Sequence, residues 1–254
     1  MTRRLALALL ALLLVAGPVR ADEIHVMTSG AFTEAFLQLV PLFEKQTGHK
    51  VVTAFGASLG NAPDSIPMRL QRGEPADVVI LAAAALDDLI AQGTVARGSR
   101  VDLVRSSIGV AVRAGAPKPD VGTVAALTKA LLDAKSIAYS ASASGVYVST
   151  ELFQRLGIAE TVKSKSTRIE SERVGAVIAR GGAEIGFQQI SELLPIAGIT
   201  YLGPLPAEVQ RVTVFSAGLG AKARNAAAAR ALIAFLRAPA AAQTVTKTGL
   251  EPIH

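Results

Sequence analysis

The segment Glu23–Phe43, EIHVMTSGAFTEAFLQLVPLF, changes period halfway along. Glu23 to Met27 read as a strand, Thr28-Ser29-Gly30 are small turn formers, and Phe32, Phe36, Leu39, Val40 and Phe43 then recur at helical spacing. The spacing predicts strand, tight turn, helix. The first turn of a helix leaves backbone N–H groups without carbonyl partners, and the helix dipole adds partial positive charge there. The residues after Thr28 are therefore a place where an anion is welcome.

The same unit recurs down the chain. A strand at Lys50–Phe55 runs into GASLGNAPDS, and a short helical IPMRLQRGEP leads to a buried strand at Val78–Leu81 and a helix ending at Gly93. Further strands are expected at Ile108–Val112, Ser136–Ser140, in AEIGFQQI and in VQRVTVFSAGL, with helices at Val124–Ala134, through Leu152 and Leu156, in ERVGAVIARGG, and on either side of Pro239. Strands alternating with helices imply an α/β protein with largely parallel sheets. Chain crossings near Leu103–Ser107 and Pro204–Arg211 would make the second lobe an insertion in the first, giving residues 22–105 with 208–254 as lobe 1 and 106–207 as lobe 2.

Residues 1–21 have Arg3 and Arg4, an unbroken apolar run from Leu5 to Val15, the helix breaker Gly17-Pro18, and small residues at Val19 and Ala21. This is the pattern of a cleavable signal peptide cut after Ala21, so an exported, periplasmic protein is expected. Three of the 26 basic residues leave with it and no acidic ones do, so the net charge falls from +6 to +3. Basic residues are scattered and eleven aromatics do not alternate with them, which argues against nucleic-acid binding. The absence of cysteine excludes disulfides, thiolate metal ligands and a lipid-anchored thiol. His25, His49 and His254 stand alone, without ligand spacing, and Asp87-Asp88 read as a solvated helix face; no metal and no cofactor is implied.

Small-residue turns stand at four strand-to-helix junctions: Thr28–Ala31, Gly56–Ser58, Ser142–Gly145 and the approach to Val174. Together they would offer hydroxyls and amides to one anion, outside the carboxyl ends of the strands. Arg173 is either a solvated arginine or a fork for a carboxylate, and Arg69 has the same two readings with the surface one stronger. Glu172 reads as a charge complementing a helix dipole.

The stretches EIHVMTSGAFTEAFLQLVPLFEKQTGHKVVTAFGAS, RGEPADVVILA, SGVYVSTELFQRLGIAE and ERVGAVIARGGAEIGF resemble periplasmic substrate-binding proteins of ABC transporters, in particular those similar to the molybdate-binding protein. The resemblance runs from about Asp22 to the end, with G-x-PADV before a strand as its most specific part. It implies a two-lobed type II binding-protein fold with an interlobe cleft, a monomer, a small anionic ligand and an inner-membrane permease as partner. Carried over residue by residue, it implies amides from Ser29, Gly30, Ala31 and Phe32, the hydroxyl of Ser58, amides from Ser144, Gly145 and Val146, and an amide at the helix start by Arg173 and Val174. It also marks departures. Ala31 stands where the family has a serine hydroxyl, Gln189 where it has a tyrosine and would offer its side-chain amide, and LGNAPDSIP is an insertion that would bring Asn61 to the cleft mouth. Uptake of a small anion is the leading expectation. Proteins similar to this family also include aconitate isomerases, for which the residues offer Glu172 or Tyr139 as the base.

Overall fold

The structure is a computed structural model and describes residues 21–253, so the signal peptide expected over 1–21 lies outside the described residues except for Ala21. Strand β1 (Glu23–Thr28) turns at Ser29 into helix α1 (Gly30–Thr47) and returns as β2 (Lys50–Phe55), parallel to β1. Helix α2 (Ile66–Gln71), strand β3 (Val78–Ala82) and helix α3 (Ala83–Ala91) complete the opening units. Burial on both faces explains why β3 is apolar throughout and why β1 is buried from Val26 to Thr28. Ile24, Val26, Val78 and Ile80 meet α1 through Phe32 and Phe36, while Met27, Val79 and Leu81 point to the opposite face, against Leu86 and Leu89 of α3.

Strand β4 (Val101–Arg113) is thirteen residues long. Beyond it lie α4 (Val124–Asp133), β5 (Ile137–Ser140), α5 (Ala143–Tyr147), α6 (Phe153–Arg155), α7 (Ala159–Lys163), β6 (Ser166–Ile169), α8 (Val174–Ala179), β7 (Ile185–Gln189), α9 (Ile190–Leu193) and β8 (Ile199–Pro204). The chain returns through β9 (Val212–Leu219), α10 (Ala226–Arg237), α11 (Ala242–Lys247) and β10 (Glu251–Pro252). The order of strands is β2-β1-β3-β9-β4-β7-β5-β6, with β8 and β10 also pairing to β4.

β4 is where the lobes join. Its first half, Val101–Ser107, pairs with β9, and its second half, Ile108–Arg113, pairs with β7 and β8. A separate core fills each end: Phe32, Phe36, Phe43 and Leu232 on one side, Ile108, Val110, Leu127, Val148 and Phe187 on the other. The strand expected at Ile108–Val112 therefore begins seven residues earlier. Arg105-Ser106-Ser107 look like a break, yet their backbone pairs with β9 as the strand passes between two cores. The sheets are also more mixed than expected: β1–β2, β1–β3, β5–β6 and β5–β7 are parallel, whereas every pairing of β4 is antiparallel. β6 and β8 were not foreseen; their burial pattern has no run of buried positions to reveal them.

The PADV motif has a structural explanation. Asp77 is buried, and its carboxylate accepts from the amide of His25 at 2.8 Å and from those of Arg224 and Asn225 at 2.6 and 3.3 Å. One side chain thus ties β1 to the entry of α10. Asp77→Ala is expected to cost about 3 kcal/mol or more, since hydrogen bonds to a charged group contribute roughly 1.5–3 kcal/mol each. Urea denaturation of the variant checks this, and a loss under about 1 kcal/mol would contradict it.

Candidate functional site

The carboxyl ends of β1, β2, β5, β6 and β7 face one another across a cavity of about 190 Å³. That is the position in which open α/β sheets hold ligands. Ser29, Gly30, Ala31 and Ser58 line one wall; Ser140–Ser144, Arg173, Gln188, Gln189 and Glu192 line the other.

On the first wall, Ser29 is the N-cap of α1 but its side chain caps nothing, and its buried Oγ has no hydrogen-bond partner. A buried hydroxyl without a partner is costly unless something in the cavity receives its proton. Gly30 and Ala31 form the first turn of an eighteen-residue helix, where the fold supplies amides no carbonyl. The Ser58 Oγ is fully buried and accepts from the amide of Ala82 at 3.0 Å, which leaves its own proton free to donate.

On the second wall, both guanidinium NH groups of Arg173 donate to Oε1 of Glu34 at 3.1 Å, across the cleft. Ser171 Oγ donates to Asp64 Oδ1 at 3.2 Å and Ser191 Oγ to the carbonyl of Ala31 at 2.8 Å, so two further residues of the first lobe are tied to the opposite lobe. The hydroxyls of Ser140 and Ser144 are paired at 3.1 Å.

Several expected residues are not free to serve the cavity. Phe32, expected to offer its amide, already donates that N–H to the carbonyl of Ser29 at 3.2 Å, and its side chain is wholly buried in the core under α1. Gly145 is a packing residue: a methyl there would fall 1.6 Å from the carbonyl oxygen of Ser140, so the position is glycine to let α5 close on β5. The amide of Val174 already donates to Gln188 Oε1 at 2.8 Å. Gln189 lines the cavity, but its Oε1 accepts from Ser106 Oγ at 2.8 Å and its Nε2 lies 3.5 Å from Thr213 Oγ1, so its amide is spent on the strands that join the lobes. Successive strand residues point to opposite sides, and it is Gln188 that turns toward α8 and α9. Asn61 is exposed and lines nothing; the insertion instead folds back over Gly56, where a methyl would meet the Asp64 carbonyl at 2.2 Å. Arg69 is paired with Glu74 at 2.7 Å. Glu172 is bound by both NH groups of Arg180 at 2.6 Å, which hold its carboxyl below the usual range. Tyr139 packs edge-on against Phe153 in the core of the second lobe.

The residue that the sequence did not disclose is Glu192, in the single turn of α9. Its Oε1 accepts from Gln188 Nε2 at 2.9 Å and lies so close to Gly30 that a methyl on that glycine would fall 2.0 Å away. A carboxyl of one lobe thus stands directly before the start of α1 in the other. Burial raises its pKa to about 7, against the pull of Arg173 and the hydrogen bond from Gln188. Read along the chain, Glu192 is an ordinary acid in a helix's first turn. Among the described residues, no group of three or more His, Asp or Glu is placed to hold a metal ion, and no helix is long and apolar enough to cross a membrane.

The chain matches the family model of bacterial extracellular solute-binding proteins over residues 24–251, and it belongs to that family. It is 44% identical over 251 residues to the aconitate isomerase of a Pseudomonas species, covering 97% of this chain and 96% of that one. With the molybdate-binding protein of Azotobacter vinelandii it shares 28% identity over 241 residues, 93% of this chain and 92% of the other. The solved structure of the Azotobacter vinelandii periplasmic molybdate-binding protein superposes with a TM-score of 0.73 at 23% identity, covering 91% of this chain and all of that one. The fold is thus the two-lobed α/β fold of periplasmic binding proteins.

A carboxyl whose pKa is higher in the fold than in the unfolded chain contributes stability in full below its ordinary value of 4.5, and that contribution is lost as pH rises through about 7. Glu192→Gln, neutral throughout, should therefore gain on wild type between pH 5 and pH 8. The gain is at most roughly 3 kcal/mol, because the carboxyl borders an open cleft. Thermal melts of both proteins at the two pH values measure it; a pH-independent gap would contradict the raised pKa.

Proposed function

We propose that the cleft takes a small polycarboxylate and that the protein isomerises it, moving a proton and a double bond as its aconitate isomerase relative does by name. The observation that carries this reading is Arg173. Its two NH groups already hold a carboxylate, that of Glu34, from the cavity wall. The planar guanidinium is suited to pairing with a carboxylate, and the contact with Glu34 is a carboxylate already held by it.

The first wall supports the same ligand class. Ser29, Ser58 and the start of α1 supply donors for a second carboxylate, and Ala31 leaves open the space that a serine hydroxyl would fill. The donors of both walls line one cavity of about 190 Å³. The proposal includes export by the segment 1–21 into the periplasm, action as a monomer, and a division of lobes at 105/106 and 207/208, within and just before the two strands that run between the cores.

A second reading is favoured by the family itself: the protein holds the same anion and hands it to an inner-membrane ABC permease. The two readings share a ligand and differ in turnover.

Calorimetric titration is expected to show tricarboxylates such as citrate and aconitate binding more tightly than molybdate or sulfate, and proton NMR to show interconversion of cis- and trans-aconitate. Binding without interconversion would leave the uptake reading. Micromolar molybdate affinity with no response to carboxylates would overturn both. Ser58→Ala should weaken binding of the carboxylate by about 1.5–3 kcal/mol, the range for a hydrogen bond to a charged group.

A further inference from the structure

We infer that Glu192 is the general base of the cleft, and that Gly30 and Gln188 are the two residues that place its carboxyl. The inference rests on the isomerase reading and assigns its catalytic group.

Of the acids at the cavity, Asp64, Glu170, Glu172 and Glu192 in its lining and Glu34 in contact with the lining residue Arg173, four already have partners. Glu34 is held by Arg173, Asp64 by the Ser171 hydroxyl, Glu170 by Arg168 at 3.3 Å and Glu172 by Arg180. Glu192 accepts one hydrogen bond, from the neutral amide of Gln188, and has no ion pair in contact. It has room to receive a proton.

Its position is set from both lobes. Gln188 spans the second wall: its Oε1 accepts from the amide that begins α8, and its Nε2 donates to Glu192. From the first lobe, α1 approaches so closely that a β-carbon at position 30 would fall 2.0 Å from the Glu192 carboxyl oxygen and push the carboxyl aside. The carboxyl therefore stands beside the amides and hydroxyls that would hold the ligand's own carboxylate, which puts it next to the carbon bearing that carboxylate. Of the groups around it, Arg173 from the start of α8 pulls its pKa down, Glu34 of α1 is paired with Arg173, and Gln188 of β7 is neutral.

In a tricarboxylate with a methylene between a carboxylate and a C=C, Glu192 takes the proton as the C–H bond breaks. The electron pair moves through the allyl system, the charge rests on the carboxylate held by α1 and Arg173, and the proton is returned at the far allylic carbon. Nothing is oxidised or reduced, and no co-reactant is consumed. A pKa near 7 suits a base working near neutral pH.

The test uses the full mature chain with cis- and trans-aconitate. Glu192→Gln should lose at least 100-fold in kcat while its Kd stays within a few-fold of wild type at pH 6. Gly30→Ala should melt no lower than wild type, since Gly30 does not have positive φ and alanine favours a helix, yet should lose turnover because the new methyl displaces the carboxyl. In wild type kcat/KM should rise with pH through about 7, and Gln188→Met, lacking the donor that lowers this value, should move that limb to higher pH. Full activity in Glu192→Gln, or in Gly30→Ala, would overturn the assignment and leave the isomerase reading standing. Tight binding with no turnover by wild type would overturn that reading, and the assignment with it.

Discussion

One strand belongs to two cores, and the site follows from it. β4 pairs with β9 in its first half and with β7 and β8 in its second, so the two lobes share an unbroken backbone ladder. That ladder fixes which strand ends oppose one another. The carboxyl ends of β1 and β2 come from one lobe, those of β5, β6 and β7 from the other, and the helix starts that follow them converge on a single volume. Ser106 on β4 and Thr213 on β9 then take up Gln189, a side chain that would otherwise enter the cleft. The polar residues in the middle of β4 serve the junction between lobes.

The electrostatics of the cleft come in opposed pairs. The start of α1 and Arg173 are positive; Glu192 and Glu34 stand against them, each from the opposite lobe. These contacts hold the lobes together and also demonstrate what each position accepts. Orphan amides and a planar guanidinium, each in contact with a carboxylate, are the donors on which the proposed polycarboxylate ligand rests.

How far this was legible in the sequence depends on how local each feature is. The strand–turn–helix at Glu23–Phe43 is written in its own periodicity, and the serines at 29, 58 and 144 stand at junctions that local rules identify. Whether an amide is free is not local. Val174 starts a helix as the pattern says, but Gln188, fourteen residues away in sequence, has claimed its N–H. Gln188 and Gln189 are adjacent and chemically identical, and only the strand's register decides which one faces the acid. Phe32 was misjudged because a helix's first turn carries both orphan amides and, one step round, a core side chain. Glu192 has no local signature at all, since what makes it unusual is a glycine in the other lobe.

A donor-only cleft is the better design for holding an anion, and this cleft is not donor-only. Placing a carboxyl beside the strongest donor of the site taxes the affinity for any anion whenever that carboxyl is ionised, and burial makes its ionisation expensive. A residue that is adverse for binding and for stability persists where chemistry requires it, and sites of this kind are where local rules are expected to fail. The missing side chain at Gly30 fits the same logic. α1 would be more stable beginning with alanine, yet its first residue is the one residue that lets Glu192 approach. The same cost falls on a transporter and an isomerase, but in the proposed isomerase it has a use, since the base inferred above is a carboxyl held at the cleft against the start of α1.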